Sequence, residues 1–158
     1  MSFLITAITT DHETRTAMVP KDEMYETIRD IVGGLIQPLR IPFPEEVLGT
    51  DKVEVYMYVN EEGMLENLPV NRGASAIAET AFQFDASDPT LEVQSFRGNA
   101  VFVAEWVKAD YYIAEDTQYT DIPDTIVKII NDVANFLKEN ESFHEQLNNK
   151  LKAIAESN

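Results

Sequence analysis

The chain has 158 residues, 44% of them apolar and 25% charged, a length and composition that suit one globular domain with a sizeable core rather than a disordered segment. It contains 28 acidic and 12 basic side chains for a net charge of −16, split evenly so that residues 1–79 and 80–158 each carry 14 acids and 6 bases. Nucleic acid and anionic membranes are repelled by such a chain, and the absence of cysteine removes disulfides, thiolate metal sites and cysteine nucleophiles.

The N-terminus from Met1 to Ile8 has no basic flank and meets Asp11 and Glu13 too soon for a signal peptide. No apolar run approaches the roughly 20 residues of a membrane span. Both observations lead to the expectation of a cytoplasmic protein. In that compartment the sequon at Asn140 has no enzyme to read it.

Phe3–Thr9 and Thr14–Val19 are β-prone runs around the polar loop Thr10-Asp11-His12-Glu13, which predicts a hairpin. Pro20-Lys21-Asp22 opens a helix whose Met24, Ile28, Ile31 and Val32 form one stripe, ended by Gly33-Gly34. Leu35–Ile41 reads as a strand that Pro38 confines to an edge or a bulge. Val53–Val59 is the clearest strand: its valines and Met57 point one way, and Glu54, Tyr56 and Tyr58 the other. A turn at Asn60-Glu61-Glu62-Gly63 leads into a return strand beginning at Met64-Leu65.

Ala74–Phe84 reads as a short helix, and Leu91–Ser95 and Ala100–Val107 as strands, with Tyr111–Ile113 extending the sheet. Asp121-Ile122-Pro123-Asp124 is a helix start, with Asp121 as N-cap. Ile122, Ile126, Ile129, Ile130, Val133, Phe136 and Leu137 make its apolar face. A capping box at Ser142–Glu145 predicts a break near Asn140 and a second helix with Phe143, Leu147, Leu151 and Ile154 at spacings of 4, 4 and 3. The predicted fold is α+β: an antiparallel-dominated sheet of five to seven strands over residues 1–120, packed by one early helix and a C-terminal helical hairpin over 121–158 that belongs to the same domain.

The motif order resembles a family of small domains found in phage, plasmid and gut-bacterial sequences, domain of unknown function 3846. The resemblance is carried by Tyr25–Gly34 leading to Ile36-Gln37-Pro38-Leu39, by Tyr58–Leu65, by Leu68-Pro69-Val70-Asn71-Arg72-Gly73-Ala74 and by Arg97–Val103, and covers roughly residues 3–105. It implies a compact α+β fold and a mobile-element origin, and no activity, cofactor or catalytic residue.

Chemistry is sparse. The two histidines, His12 in a hairpin loop and His144 in a first helical turn, read as surface residues rather than general bases. No glycine precedes a lysine as in a phosphate loop, and no Gly-x-Ser-x-Gly elbow occurs. No catalytic residue is assigned, and the chain reads as non-enzymatic, with no cofactor. The base-free run Asp110, Glu115, Asp116, Asp121 and Asp124 lacks the spacing of an EF-hand, so no metal is assigned either.

Binding is the more economical class. Asp110, Tyr111, Tyr112, Glu115, Asp116, Tyr119, Asp121 and Asp124 mix aromatics with acids, and such a surface can meet a basic or nucleic-acid-binding host protein by imitating a phosphate backbone. The leading expectation is therefore an accessory protein of a phage or other mobile element that acts on host takeover or host defence. The alternative expectation uses Asn60, Glu61, Glu62, Asn71, Arg72, Arg97 and Asn99 as a site for an anionic small molecule such as a nucleotide signal, with the two arginines as a clamp. A homodimer through residues 122–156 is the third.

Overall fold

A computed structural model describes residues 1–83, 95–108 and 118–157. The chain opens with the expected hairpin, β1 (Ser2–Ile8) and β2 (Thr14–Pro20), paired in antiparallel register from Ser2↔Pro20 to Ile8↔Thr14. A short 3-10 turn over Lys21–Glu23 leads into helix α1 (Met24–Val32), which buries Met24, Ile28 and Val32. Gly33 ends it at φ 85°, a conformation that costs glycine little, and its N–H bonds the Arg29 carbonyl. Strand β3 (Ile36–Ile41), a single helical turn α2 (Glu45–Leu48) and strand β4 (Val53–Asn60) follow. Helix α3 (Arg72–Gln83), strand β5 (Ala100–Trp106), the two-residue strand β6 (Tyr119–Thr120) and helix α4 (Asp124–Glu156) complete the described elements.

The six strands form one antiparallel sheet in the order β2-β1-β5-β4-β3, with β6 beside the end of β5. The α+β class, the antiparallel sheet and the early helix are as predicted. Pro38 sits on β3 at the edge, opposite Tyr58, where its missing N–H interrupts no second ladder.

Helices cover both faces of the sheet. On one, Val55, Met57, Ala100, Phe102 and Ala104 pack against α3 and the first half of α4, with Ala74, Ile77, Ala78, Ile126, Ile130 and Ala134 all buried. On the other, Ile5, Ala7, Val19, Val101 and Val103 pack against α1. Strand alternation causes this division: each residue step along β5 changes the face, and every side chain from Ala100 to Glu105 is buried. Gly73 lets α3 cross close over β1, since a Cβ there would lie 2.5 Å from Ile8 Cδ1.

Several expectations are corrected. The C-terminal helical hairpin is a single 33-residue helix. Glu139-Asn140-Glu141-Ser142 holds neither glycine nor proline, and asparagine or serine costs a helix interior only about 0.5 kcal/mol relative to alanine. Asn140 Nδ2 bonds the Phe136 carbonyl at 2.9 Å within the continuing helix. No helix therefore begins at Ser142.

Asp121 is not an N-cap either. Pro123 holds that position and α4 has no side-chain cap. Asp121 Oδ1 instead accepts the N–H of Leu4 at 2.8 Å, while Ile122 N–H donates to the Leu4 carbonyl. Strand β1 pairs with β5 only from Thr6 onward, so these groups of Leu4 need another partner.

Met64-Leu65 begins no strand: residues 61–67 are turns, and both side chains are largely exposed. Strand β4 already has β3 on one side and β5 on the other, so a return strand finds no free edge of β4. Phe136 lies outside the buried stripe of α4 and is 64% exposed. The predicted strand at Tyr111–Ile113, and that at Leu91–Ser95 except for Ser95 itself, fall outside the described residues.

Candidate functional site

The α1 face of the sheet is apolar only in part. Toward the start of β4 and the end of β5 it turns polar, because the alternation that buries Val53, Val55 and Met57 sends Glu54, Tyr56 and Tyr58 to the opposite side. The register sets Glu54 directly opposite Glu105, Tyr56 opposite Arg40 of β3, and Glu105 opposite Tyr119 of β6. Two carboxylates on neighbouring strands thus share one face, with Cβ atoms about 4.5–5.5 Å apart for such a pair.

Their surroundings differ. Glu54 accepts a hydrogen bond from the Tyr56 hydroxyl at 2.9 Å and pairs with Arg40 Nε at 3.4 Å. Glu105 is 93% buried and has no hydrogen-bond or ion-pair partner among the described residues. Burial pushes its carboxyl pKa up, the charge of Glu54 adds to the rise, and Lys108 opposes it. Tyr56 is pushed up to about 12, chiefly by burial and then by its bond to Glu54, and Tyr58 rises further for the same first reason. Tyr119 stacks at a tilt on Phe3, with ring centroids 5.9 Å apart. The result is an electronegative patch of two carboxylates rimmed by phenols. A cation seated between the carboxylates relieves both their repulsion and the desolvation of Glu105.

Of the predicted acidic surface, Tyr119 belongs to this patch. Asp110, Tyr111, Tyr112, Glu115 and Asp116 lie outside the described residues. Asp121 is bonded to Leu4, and Asp124 is exposed in the first turn of α4.

The residues of the predicted small-ligand site are dispersed by their bonds. Asn60, Glu61 and Arg97 line a pocket of about 150 Å³ with Gly63, Met64 and Phe96. Within it Asn60 Oδ1 accepts the Glu62 N–H, and Arg97 Nη1 donates to the Leu68 carbonyl at 2.9 Å. Asn71 is fully buried: its Nδ2 donates to the carbonyls of Ile8 and Gly98, and its Oδ1 accepts the Ala74 N–H as the N-cap of α3. Asn99 Oδ1 accepts the Thr10 N–H, and its Nδ2 donates to the Ile31 carbonyl. Arg72 pairs with Glu141 of α4 at 3.4 Å.

That last contact belongs to a cluster the sequence did not reveal. His12, expected on the surface, is 1% exposed with φ 65°. Its Nε2 lies 2.7 Å from Glu141 Oε1; a carboxylate only accepts, so the Nε2 hydrogen is donated. Nδ1 is buried without a hydrogen bond. The His12 bond holds the Glu141 carboxyl below its ordinary pKa, although burial acts the other way. A second cavity, of about 170 Å³ and almost wholly apolar, lies between α2, α3 and α4, lined by Phe43, Val47, Ile77, Ile129 and Val133 among others.

Glu54, Tyr56 and Glu105 were absent from the predicted sites. The signal was present: Glu105 is a lone acid in an otherwise apolar strand, and Glu54 and Tyr56 fall on the face away from the core.

Among the described residues no helix is long and apolar enough to cross a membrane. A family model described as a domain of unknown function (DUF3846) matches residues 3–128, which extends the stretch read from the motifs. No curated protein and no solved structure matches the chain.

Proposed function

From the premise that the chain belongs to the DUF3846 family, we propose that it is a non-enzymatic binding protein that engages a cation-rich macromolecule through its acidic surface. The partner is a host protein with a basic, nucleic-acid-binding surface, met in the cytoplasm of a bacterial cell by a mobile-element accessory protein that acts as a nucleic-acid mimic or an inhibitor of host defence. The observation that carries this reading is the cross-strand pair Glu54–Glu105, with Glu105 buried and, among the described residues, without a counter-charge at hydrogen-bond distance. Like charges set directly opposite on a sheet cost about 0.2–1 kcal/mol. A lysine or arginine from a partner turns that cost into attraction, and the net charge of −16 steers it there.

An arginine-rich peptide is the defined probe, titrated calorimetrically over a salt series. Binding should weaken steeply with salt, and the double substitution Glu54→Gln with Glu105→Gln should weaken it about tenfold or more, as the loss of a charge-assisted contact of about 1.5–3 kcal/mol requires. Capture from bacterial lysate at low and high salt then identifies the host protein. Affinity that ignores salt, or survives the double substitution unchanged, sinks the proposal.

The pocket of Asn60, Glu61 and Arg97 favours a second reading, a module that binds or sequesters an anionic small molecule such as a nucleotide. A nucleotide at 100 times its dissociation constant adds about 2.7 kcal/mol of stability. A thermal-shift screen without a rise leaves this reading unsupported.

A further inference from the structure

Helix α4 has two halves with different surroundings. In the first, Ile126, Ile130, Ala134 and Leu137 are buried against the sheet and α3. Among the described side chains, the last tied to the body are Lys138, paired with Glu13 at 3.1 Å, and Glu141, held by His12 and Arg72. From Glu145 to Ser157 every residue is exposed. At 1.5 Å per residue this arm is about 20 Å long. It carries Leu147, Leu151 and Ile154 on one stripe, 43%, 56% and 60% exposed. The stripe keeps the phase of the buried half: Ile126, Ile130, Val133, Leu137, Asn140, His144, Leu147, Leu151 and Ile154 alternate steps of four and three. That spacing is the seam of a paired helix. A helix of this length without packing is marginal in water.

We infer that the arm pairs with the arm of a second copy of this chain, antiparallel, about a two-fold axis between Leu147 and Leu151. Charge chooses the occupant and the direction. The chain carries −16, yet residues 145–157 hold Glu145 and Glu156 against Lys150 and Lys152 and are neutral. Two such acidic molecules can meet along the arm without stacking like charge. The sign changes along the arm between Glu145 and Lys152. A two-fold between Leu147 and Leu151 brings Lys152 of each arm level with the turn that carries Glu145 of the other, whereas parallel pairing sets Glu145 level with Glu145 and Lys152 with Lys152. Antiparallel pairing also places the two acidic bodies at opposite ends of the paired helices. The contact is isologous and closes on itself. The arm lies beyond the family match, which ends at residue 128, and the inference does not depend on the acidic-surface reading.

Sedimentation equilibrium of the full chain from micromolar to sub-millimolar concentration tests it. The mass should rise from one chain to two, and added salt should strengthen association by screening the bodies, opposite to its effect on cationic-partner binding. Leu147 and Leu151 are exposed, so Leu151→Glu should keep the circular dichroism melt of the body and leave a monomer throughout. The natural chain has no cysteine, so single substitutions report direction. Asn148→Cys, beside the stripe and next to the axis, should form a disulfide dimer, and Ser157→Cys, far from the axis, should not. Cross-linking of Ser157→Cys indicates parallel helices and overturns the geometry. A single-chain mass at every concentration and salt, or a dimer that persists in Leu151→Glu, overturns the proposal itself.

Discussion

Asn71 joins three segments at once, and its removal has a calculable cost. The Nδ2 group bonds the Ile8 carbonyl at the end of β1 and the Gly98 carbonyl before β5, both at 2.9 Å, and Oδ1 caps α3 through the Ala74 N–H at 3.0 Å. Its exposure is 0%, so water cannot replace these bonds. Asn71→Ala loses a cap worth about 1 kcal/mol and leaves two buried carbonyls short of a donor at about 1–1.5 kcal/mol each. The sum is about 3–4 kcal/mol, or about 6–16 °C in Tm for a domain of this size. Asn71→Ser keeps the cap and should recover about 1 kcal/mol of it. Asn71→Asp keeps the cap but turns a carboxylate oxygen toward the two carbonyls, and should be no better than alanine. Urea unfolding followed by circular dichroism, with a constant m-value, reads the series. An alanine variant within about 1 kcal/mol of the parent, or an aspartate variant as stable as the parent, refutes the scaffold role and returns Asn71 to the ligand-binding candidates.

Two further outcomes concern protons. Glu105→Gln should stabilise the fold at neutral pH by about 0.2–1 kcal/mol, the cost of opposed like charges. The folded pKa of Glu105 is raised, so its acid form is fully favourable below the ordinary value of 4.5 and the advantage fades as pH climbs through the raised value. The gain of the glutamine variant, read from urea melts, should therefore vanish in acid, and an equal gain at low pH contradicts the assignment. Glu141 is the reverse case: its folded pKa is depressed, so its contribution is present above 4.5 and is lost as pH falls through the depressed value. Glu141→Ala should cost about 1 kcal/mol above that range, limited by solvent at a half-exposed group. Hydrogen exchange in residues 136–157 should then accelerate, and unchanged protection argues against Glu141 as the anchor of α4.

Much of the fold is legible in the sequence because strand and helix periods are clean where one face is buried. Val53–Val59 alternates without exception, and Gly33 and Pro38 mark a helix end and a sheet edge through backbone constraints that need no tertiary knowledge. The failures arise where a local signal has two outlets. Asp121 is a capable cap, but an unpaired Leu4 N–H in a distant strand competes for it and wins. Ser142 to Glu145 has the composition of a helix start, yet nothing before it stops a helix. The candidate site was half visible: the faces of Glu54, Tyr56 and Tyr58 follow from alternation, but their meeting with Glu105 depends on strand order. His12 illustrates the limit most sharply. A polar loop residue is buried because Glu141, 129 positions away, arrives on a helix to receive its hydrogen.

The proline in β3 bears on crowding as well as on topology. A flank that lacks one amide hydrogen, and carries the charged Arg40 two residues on, is a poor template for another molecule's backbone. Lateral sheet growth, the usual route from a stable β-rich fold to fibres, is discouraged on that side. Among the described residues the edge left to template a neighbouring sheet is therefore β2, at the other end of the strand order.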